Sequence, residues 1–181
     1  AVAVTNEKFT RQMMVNGAVA KQLGKDMGDI VSIMKSLTGE FGMSNHEAEV
    51  LANGILDTAT ALSLSNDEAV KLIAGIKTAT GLSMEQADLF AKQVTLLAEQ
   101  NGAAPDQVLK DIAQSAEVTA KFTDESGENI AKAAIMAQKL GINLNTVGGI
   151  AEGLLDFQSS ISKEVEASVL IGRQLNFQKA R

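Results

Sequence analysis

The chain of 181 residues lacks cysteine, tryptophan and tyrosine, and it contains one proline and one histidine. Without cysteine it forms neither disulfides nor thiolate metal sites. Aromatic residues make up only 3% of the chain, although hydrophobic residues make up 45%, so most of the apolar content is aliphatic. The alternation of β-branched and aromatic residues that is typical of strands is also missing. These absences favour an all-α protein with a core of closely packed helices.

Positive charge is scarce as well. The chain has 16 Lys and Arg residues against 22 Asp and Glu residues, which gives a net charge of −6. Because binding to nucleic acid through its phosphates requires a basic face, we expect no specific nucleic-acid binding. No apolar run approaches the roughly 20 residues that are needed to cross a bilayer.

What the chain does contain is a recurring signal for the start of a helix. A serine is followed three residues later by Glu or Gln at three places, Ser44 with Glu47, Ser65 with Glu68, and Ser83 with Gln86. In such a capping box each side chain bonds the backbone amide of the other residue. Weaker copies place starts at Ala104, which precedes the lone Pro105, at Thr123 and at Asn143. The positions 44, 65, 83, 104, 123 and 143 are 21, 18, 21, 19 and 20 residues apart, which predicts a series of similar short helices.

Residues 1–40 carry a different pattern and are interpreted as an amphipathic, coiled-coil-like helical segment. Heptad spacing of four and three residues relates Phe9, Met13, Asn16, Ala20, Leu23, Met27, Ile30, Met34, Leu37 and Phe41. Glycines at positions 17, 24 and 28 oppose one long helix, since each costs up to about 1 kcal/mol in a helix interior. Two interpretations remain open, a coiled-coil seam or two amphipathic helices broken near Gly24 and packed on their own domain.

Residues 41–141 are predicted to form an array or bundle of about five short helices, and residues 142–181 a longer C-terminal helical segment. Short connections favour antiparallel neighbours in such arrays. The C-terminal segment carries a second apolar seam, Val147, Ile150, Leu154, Phe157, Ile161, Val165 and Val169. This seam slips after Ile161, as at a stutter, unless Ser159-Ser160 caps a separate final helix. Gly149 and Gly153 suit close packing of two soluble helices. Since the last residues still read as helix, we expect this segment to continue and the sequence to be a fragment of a longer chain.

No arrangement of residues typical of catalysis is found. His46, the only histidine, lies in a capping segment without a second ligand at metal-binding spacing, and it is interpreted as an exposed residue of a first helical turn. Glu152 and Asp156 share a helix face as an ordinary solvated pair. The phosphate-binding glycine motifs and the GxSxG motif are absent. We therefore expect a protein that is not an enzyme, and we assign no catalytic, cofactor-binding or metal-binding residue and no cofactor.

The C-terminal region resembles a known family. The stretch GGIAEGLLDFQSSI at residues 148–161, continued by EVEASVLIGRQLN at 164–176 and FQKAR at 177–181, is similar to a segment of the tail tape measure proteins of tailed bacteriophages. The capped helices between Gly42 and Ala137 resemble the same family less specifically, and the first 40 residues carry nothing diagnostic.

This resemblance implies a structural, non-catalytic virion protein. Such a protein is made in the host cytoplasm during assembly and lies in the lumen of the phage tail. It sets tail length, organises assembly of the tail tube and is released during genome ejection. The implied partners are further copies of itself, as a trimer or hexamer that matches tail symmetry, together with tail tube and baseplate hub proteins. Any membrane contact would be confined to infection.

Two other functions remain open at this point. Methionine-bearing apolar stripes would suit a helical adaptor that binds a partner helix in an amphipathic groove. A lytic or peptidase enzyme that uses only carboxylates as acid–base groups is the weaker alternative, and a turnover assay on peptidoglycan would decide it.

Overall fold

The structure is a computed structural model, and it describes residues 2–124 and 127–171. Across these residues the chain forms α-helices without a strand, which confirms the all-α prediction. The helices are α1 (Val2–Gln22), α2 (Met27–Gly39), α3 (Asn45–Ala61), α4 (Asn66–Thr80), α5 (Met84–Gln100), α6 (Pro105–Gln114), α7 (Ala116–Phe122), α8 (Glu128–Lys139) and α9 (Leu144–Ile171).

The three predicted capping boxes are confirmed. At the start of α3, Ser44 Oγ accepts from the Glu47 amide at 3.2 Å, and Glu47 Oε2 accepts from the Ser44 amide at 3.0 Å. The same reciprocal bonds close two further boxes, Ser65 with Glu68 and Ser83 with Gln86. The starts at Pro105 and Asn143 are confirmed too: Pro105 is the first residue of α6, and Asn143 Oδ1 accepts from the Thr146 amide at 2.9 Å.

The predicted start at Thr123 is wrong, and the described part of residues 41–141 forms six short helices where about five were expected. Thr123 ends α7, and α8 begins after Gly127, whose φ of 70° suits glycine. The additional helix arises because the backbone leaves the helical region at Ser115, with φ −99° and ψ 44°. The Ser115 hydroxyl donates to Asp111 Oδ1 at 3.2 Å, a local bond of the kind that competes with helix continuation.

The N-terminal region follows the second of its two interpretations. The chain turns at Gly24, whose φ is 70°, between α1 and α2. Three members of the heptad pattern, Ala20, Ile30 and Leu37, are completely buried in the core of their own chain. One continuous seam from Phe9 to Phe41 is therefore not formed. Coiled-coil pairing of this region with a second chain stays a prediction.

Helix α4 lies at the centre of the fold and packs against α2, α3, α5, α6 and α7. Its residues Val70, Ile73 and Ile76 are fully buried. The hydrophobic core runs without interruption from Ala20 to Leu144. The domain boundaries at residues 40 and 141 remain predictions, although the core itself is continuous across residue 40.

Helix α9 is continuous for 28 residues. It runs through Ser159-Ser160 without a break, so the alternative of a separate final helix that starts there is wrong. The part of the predicted C-terminal segment from 172 to 181 lies outside the described residues.

Candidate interaction face on the last helix

The first turns of α9 are fixed to the body of the protein by one side of the helix. Leu144 is buried, and its amide donates to Asp111 Oδ2 of α6 at 2.9 Å. One turn later Gly148 lies so close to α7 that an added Cβ would be 2.5 Å from a Val118 methyl carbon. Only a residue without a side chain fits there, so Gly148 sets the closeness of α7 and α9.

The third attachment on this side is an ion pair. Lys121 Nζ of α7 lies 2.6 Å from Glu152 Oε1, and both side chains are about half exposed. The hydrogen bond and negative charge of Glu152 raise the pKa of Lys121, and the charge of Asp156 adds to this effect. Glu152 therefore holds α7 rather than forming only the solvated pair with Asp156 that the sequence suggested.

The predicted apolar seam of α9 lies on the other side of the helix. Ile150 follows Gly148 by two residues, which places it about 200° further round the helix and away from the body. The seam continues along that side, and its members are between 39% and 63% exposed, namely Ile150, Leu154, Phe157, Ile161 and Val165. We call these five residues the α9 stripe. Large apolar side chains exposed in one contiguous row are unusual on a protein surface and mark interaction sites.

The surroundings of the α9 stripe are free of charge over residues 150–163. Its charged residues there, Glu152, Asp156 and Lys163, fall on the side of the helix that faces away from the stripe. On one flank Gly149 and Gly153 leave open space, since nothing lies within 4 Å of an added Cβ at either position. Over residues 150–161 the stripe can therefore meet another apolar surface closely without burying a charge.

Two buried carboxyl groups elsewhere in the chain were missed by sequence reasoning. Asp88 of α5 is buried against α3, where its Oδ1 accepts from Thr58 Oγ1 at 2.7 Å and its Oδ2 lies 3.0 Å from Lys92 Nζ. Gly54 makes room for it, because an added Cβ would lie 2.5 Å from Asp88 Oδ2. A glycine in the middle of a well-capped helix was the available signal. The second group, Glu49, is described below.

His46, the only histidine, is an exposed residue of a first helical turn, as predicted. The His46 side chain is 85% exposed in the first turn of α3, and its Nδ1 is 3.9 Å from Glu49 Oε2. In the described part of the chain, no three acidic or histidine side chains converge in a way that could hold a metal ion. No helix in that part has both the length and the apolar character needed to span a membrane.

A second apolar surface is the groove between α5 and α8, with a volume of about 290 Å³. It is lined by Phe90, Gln93, Val94, Leu97, Glu128 and Ala131. No methionine lines this groove. The methionine-bearing stripes that suggested an adaptor therefore do not form it.

Comparison with protein-family models, curated proteins and solved structures gives no match to this chain, so its function is inferred from its own residues and geometry.

Proposed function

We propose that this chain is a structural, non-catalytic segment of a phage tail tape measure protein and that it associates with further copies of itself through the α9 stripe. The observation that carries the proposal is the outward-facing stripe in residues 150–165, because most of it lies in the segment 148–161 that resembles tape measure proteins. In this proposal the copies form a trimer or hexamer on the tail axis and contact tail tube and baseplate hub proteins. The protein acts in tail assembly and leaves the tail during genome ejection.

A second copy of the chain is the occupant that suits the stripe best. The stripe from Ile150 to Val165 is about 22 Å long, since a helix rises 1.5 Å per residue. Its heptad-like spacing is the spacing that lets parallel helices pack side chains against one another. Over residues 150–161 like stripes meet without bringing like charges together, because Glu152 and Asp156 lie on the opposite side of the helix. The N-terminal heptad pattern is largely buried within its own chain in the described residues. In this proposal α9 is therefore the coiled-coil element.

The free energy gained by covering the stripe is comparable to the cost of bringing copies together. Complete burial of a Leu or Ile side chain contributes about 1.5–3 kcal/mol. The stripe residues are roughly half exposed, so each contributes about 1 kcal/mol when a second copy covers it. Two copies therefore gain about 10 kcal/mol from their stripes, which is of the same order as the cost of association, about 4–15 kcal/mol. The state of assembly should therefore depend on protein concentration.

The test is the mass of the protein by light scattering across a concentration series. We expect a defined trimer or hexamer for the wild type and a monomer for Leu154→Asp. The matched control is Ser159→Asp, which adds the same charge to an exposed position on the opposite side of α9 and should leave assembly unchanged. A wild type that is monomeric throughout and does not bind tail tube or hub subunits would sink the proposal.

A helical adaptor is the second candidate function, and the groove between α5 and α8 is the observation that favours it. Two large apolar residues on α5, Leu89 and Leu96, are more than half exposed and would extend a contact with a partner helix. In this alternative an amphipathic helical peptide shifts the NMR signals of the groove residues, and Leu97→Lys abolishes the shift while Leu154→Asp does not. Unchanged groove signals with such a peptide in excess would dismiss the adaptor.

A further inference from the structure

A cluster of neutral amide side chains joins α1 to α3. Asn16 of α1 is completely buried, and its Nδ2 donates to the backbone oxygen of Glu49 at 3.1 Å. Its Oδ1 accepts from Asn53 Nδ2 at 2.7 Å and from Gln12 Nε2 at 3.0 Å. The hydrogen-bonding capacity of Asn16 is thus used largely to hold the two helices together.

Two oxygen atoms in this cluster are left without a donor. The Glu49 side chain is only 2% exposed, and its Oε1 is buried without a hydrogen-bond partner. The same holds for Asn53 Oδ1. Glu49 and Asn53 are four residues apart on α3, so their side chains are neighbours on one face of the helix. Buried polar atoms are nearly always paired, and a proton on the Glu49 carboxyl group would give two neighbouring acceptors the donor that both lack.

We propose that Glu49 carries a proton when α1 is docked, that its hydroxyl donates to Asn53 Oδ1, and that losing this proton as the pH rises loosens α1 from α3. The proton is taken from solvent when the chain folds and returns to solvent when it is lost. This inference is independent of the proposed function and of the α9 stripe.

The charges around Glu49 agree with this assignment. Burial raises the pKa of Glu49, because a carboxylate loses its hydration there. Protonated His46, on the same helix, acts in the opposite direction and lowers the Glu49 pKa. Among the α1 side chains from residue 11 onward, those that bond within the cluster, Gln12 and Asn16, are neutral. Among the described side chains, none on α2, α4 or α5, which also pack on α3, changes the Glu49 pKa through its charge.

The direction of the pH effect follows from linkage. Below the ordinary pKa of a glutamate, about 4.3, Glu49 is protonated in both the folded and the unfolded chain, and docking of α1 is at full strength. Between that pH and the raised pKa in the folded protein, only the folded state holds the proton. Docking therefore weakens as the pH rises through this window and is weakest above the raised pKa.

The experiment is hydrogen exchange of the α1 amides in the intact chain from pH 4.5 to pH 8, corrected for the intrinsic pH dependence of exchange. We expect α1 protection to fall within the window by up to about tenfold per pH unit, the limit for one linked proton. Glu49→Gln, which is neutral and supplies an N–H to Asn53, should make the protection independent of pH.

Glu47→Gln is the control, since Glu47 lies on the same helix but is exposed; this variant should keep the pH dependence of α1. A carbon-13 titration of the glutamate carboxyl groups, with Glu49 assigned by its loss in Glu49→Gln, should show a Glu49 pKa above the ordinary value of a glutamate. An ordinary pKa for Glu49 would overturn the inference. If Glu49→Gln does not fold, the wild-type exchange profile still decides, because α1 protection that does not change with pH refutes it.

Discussion

Replacing Gly54 by alanine should destabilise the protein, although alanine is the better helix former. The new Cβ would lie 2.5 Å from Asp88 Oδ2, so the carboxylate would have to move. Asp88 is not free to do so, because Thr58 Oγ1 and Lys92 Nζ hold its two oxygens at 2.7 and 3.0 Å. The substitution therefore breaks the buried contact between α3 and α5.

The magnitude follows from two opposing effects. A hydrogen bond to a charged group contributes about 1.5–3 kcal/mol, and the bond from Thr58 to Asp88 is lost or bent. Alanine returns about 1 kcal/mol through its higher helix propensity. We expect Gly54→Ala to lower the free energy of unfolding by about 0.5–2 kcal/mol, measured by urea denaturation monitored by circular dichroism.

Two control variants separate the steric effect of the new Cβ on Asp88 from the effect of alanine on helix propensity. Gly39, at the end of α2, has nothing within 4 Å of an added Cβ, so Gly39→Ala should stabilise the protein by about 0.4–1 kcal/mol. In an Asp88→Ala background, Gly54→Ala should no longer destabilise, because the atom that it meets is gone. A Gly54→Ala protein more stable than wild type would refute the reasoning.

Three further results are expected from denaturation experiments. Ser83→Ala, which breaks a capping box with a neutral partner, should cost about 1 kcal/mol at every pH. Ser65→Ala should destabilise the protein at neutral pH but progressively less as the pH falls. The reason is that the Ser65 hydroxyl lowers the pKa of Glu68, and the stability that this bond contributes disappears once Glu68 is protonated. An equal loss of stability at acid and neutral pH would contradict this. Ile73→Ala, in the centre of the core, should cost about 2–5 kcal/mol, whereas Leu140→Ala at a 71% exposed position should change stability by less than about 0.5 kcal/mol.

The helix starts could be predicted because a capping box is local. Ser44, Ser65 and Ser83 need only the residue three positions ahead to form their bonds, so the amino-acid sequence contains all the information. The box at Asp26 has the same geometry with Asp29 as its partner, but neither residue matches the pattern of a serine followed by Glu or Gln. The break at Ser115 was not predictable in this way, since Val108, Ile112 and Ala116 are spaced as on one continuous helix.

The α9 stripe could be predicted as a row of apolar residues but not as an exposed row. Its spacing says that the residues share one side of a helix, and the same spacing in residues 20–37 belongs to helices that are buried in their own core. Which side of α9 faces the body is decided by Gly148 and its contact with Val118, a pair 30 residues apart. Glu49 and Asp88 were missed for the same reason, because a carboxyl group shows its burial only once the neighbouring helices are in place.

The attachment of α9 by one side of its first turns gives the helix the mechanics of a lever. The ion pair between Glu152 and Lys121 belongs to this attachment, while residues 153–159 are exposed to solvent. Val165 lies 17 residues beyond Gly148, a reach of about 25 Å. A tilt of about 10° at the attachment would move Val165 by about 4 Å over this reach. If copies associate along their α9 helices as proposed, the angle between their globular parts could therefore change while the α9 helices stay in contact.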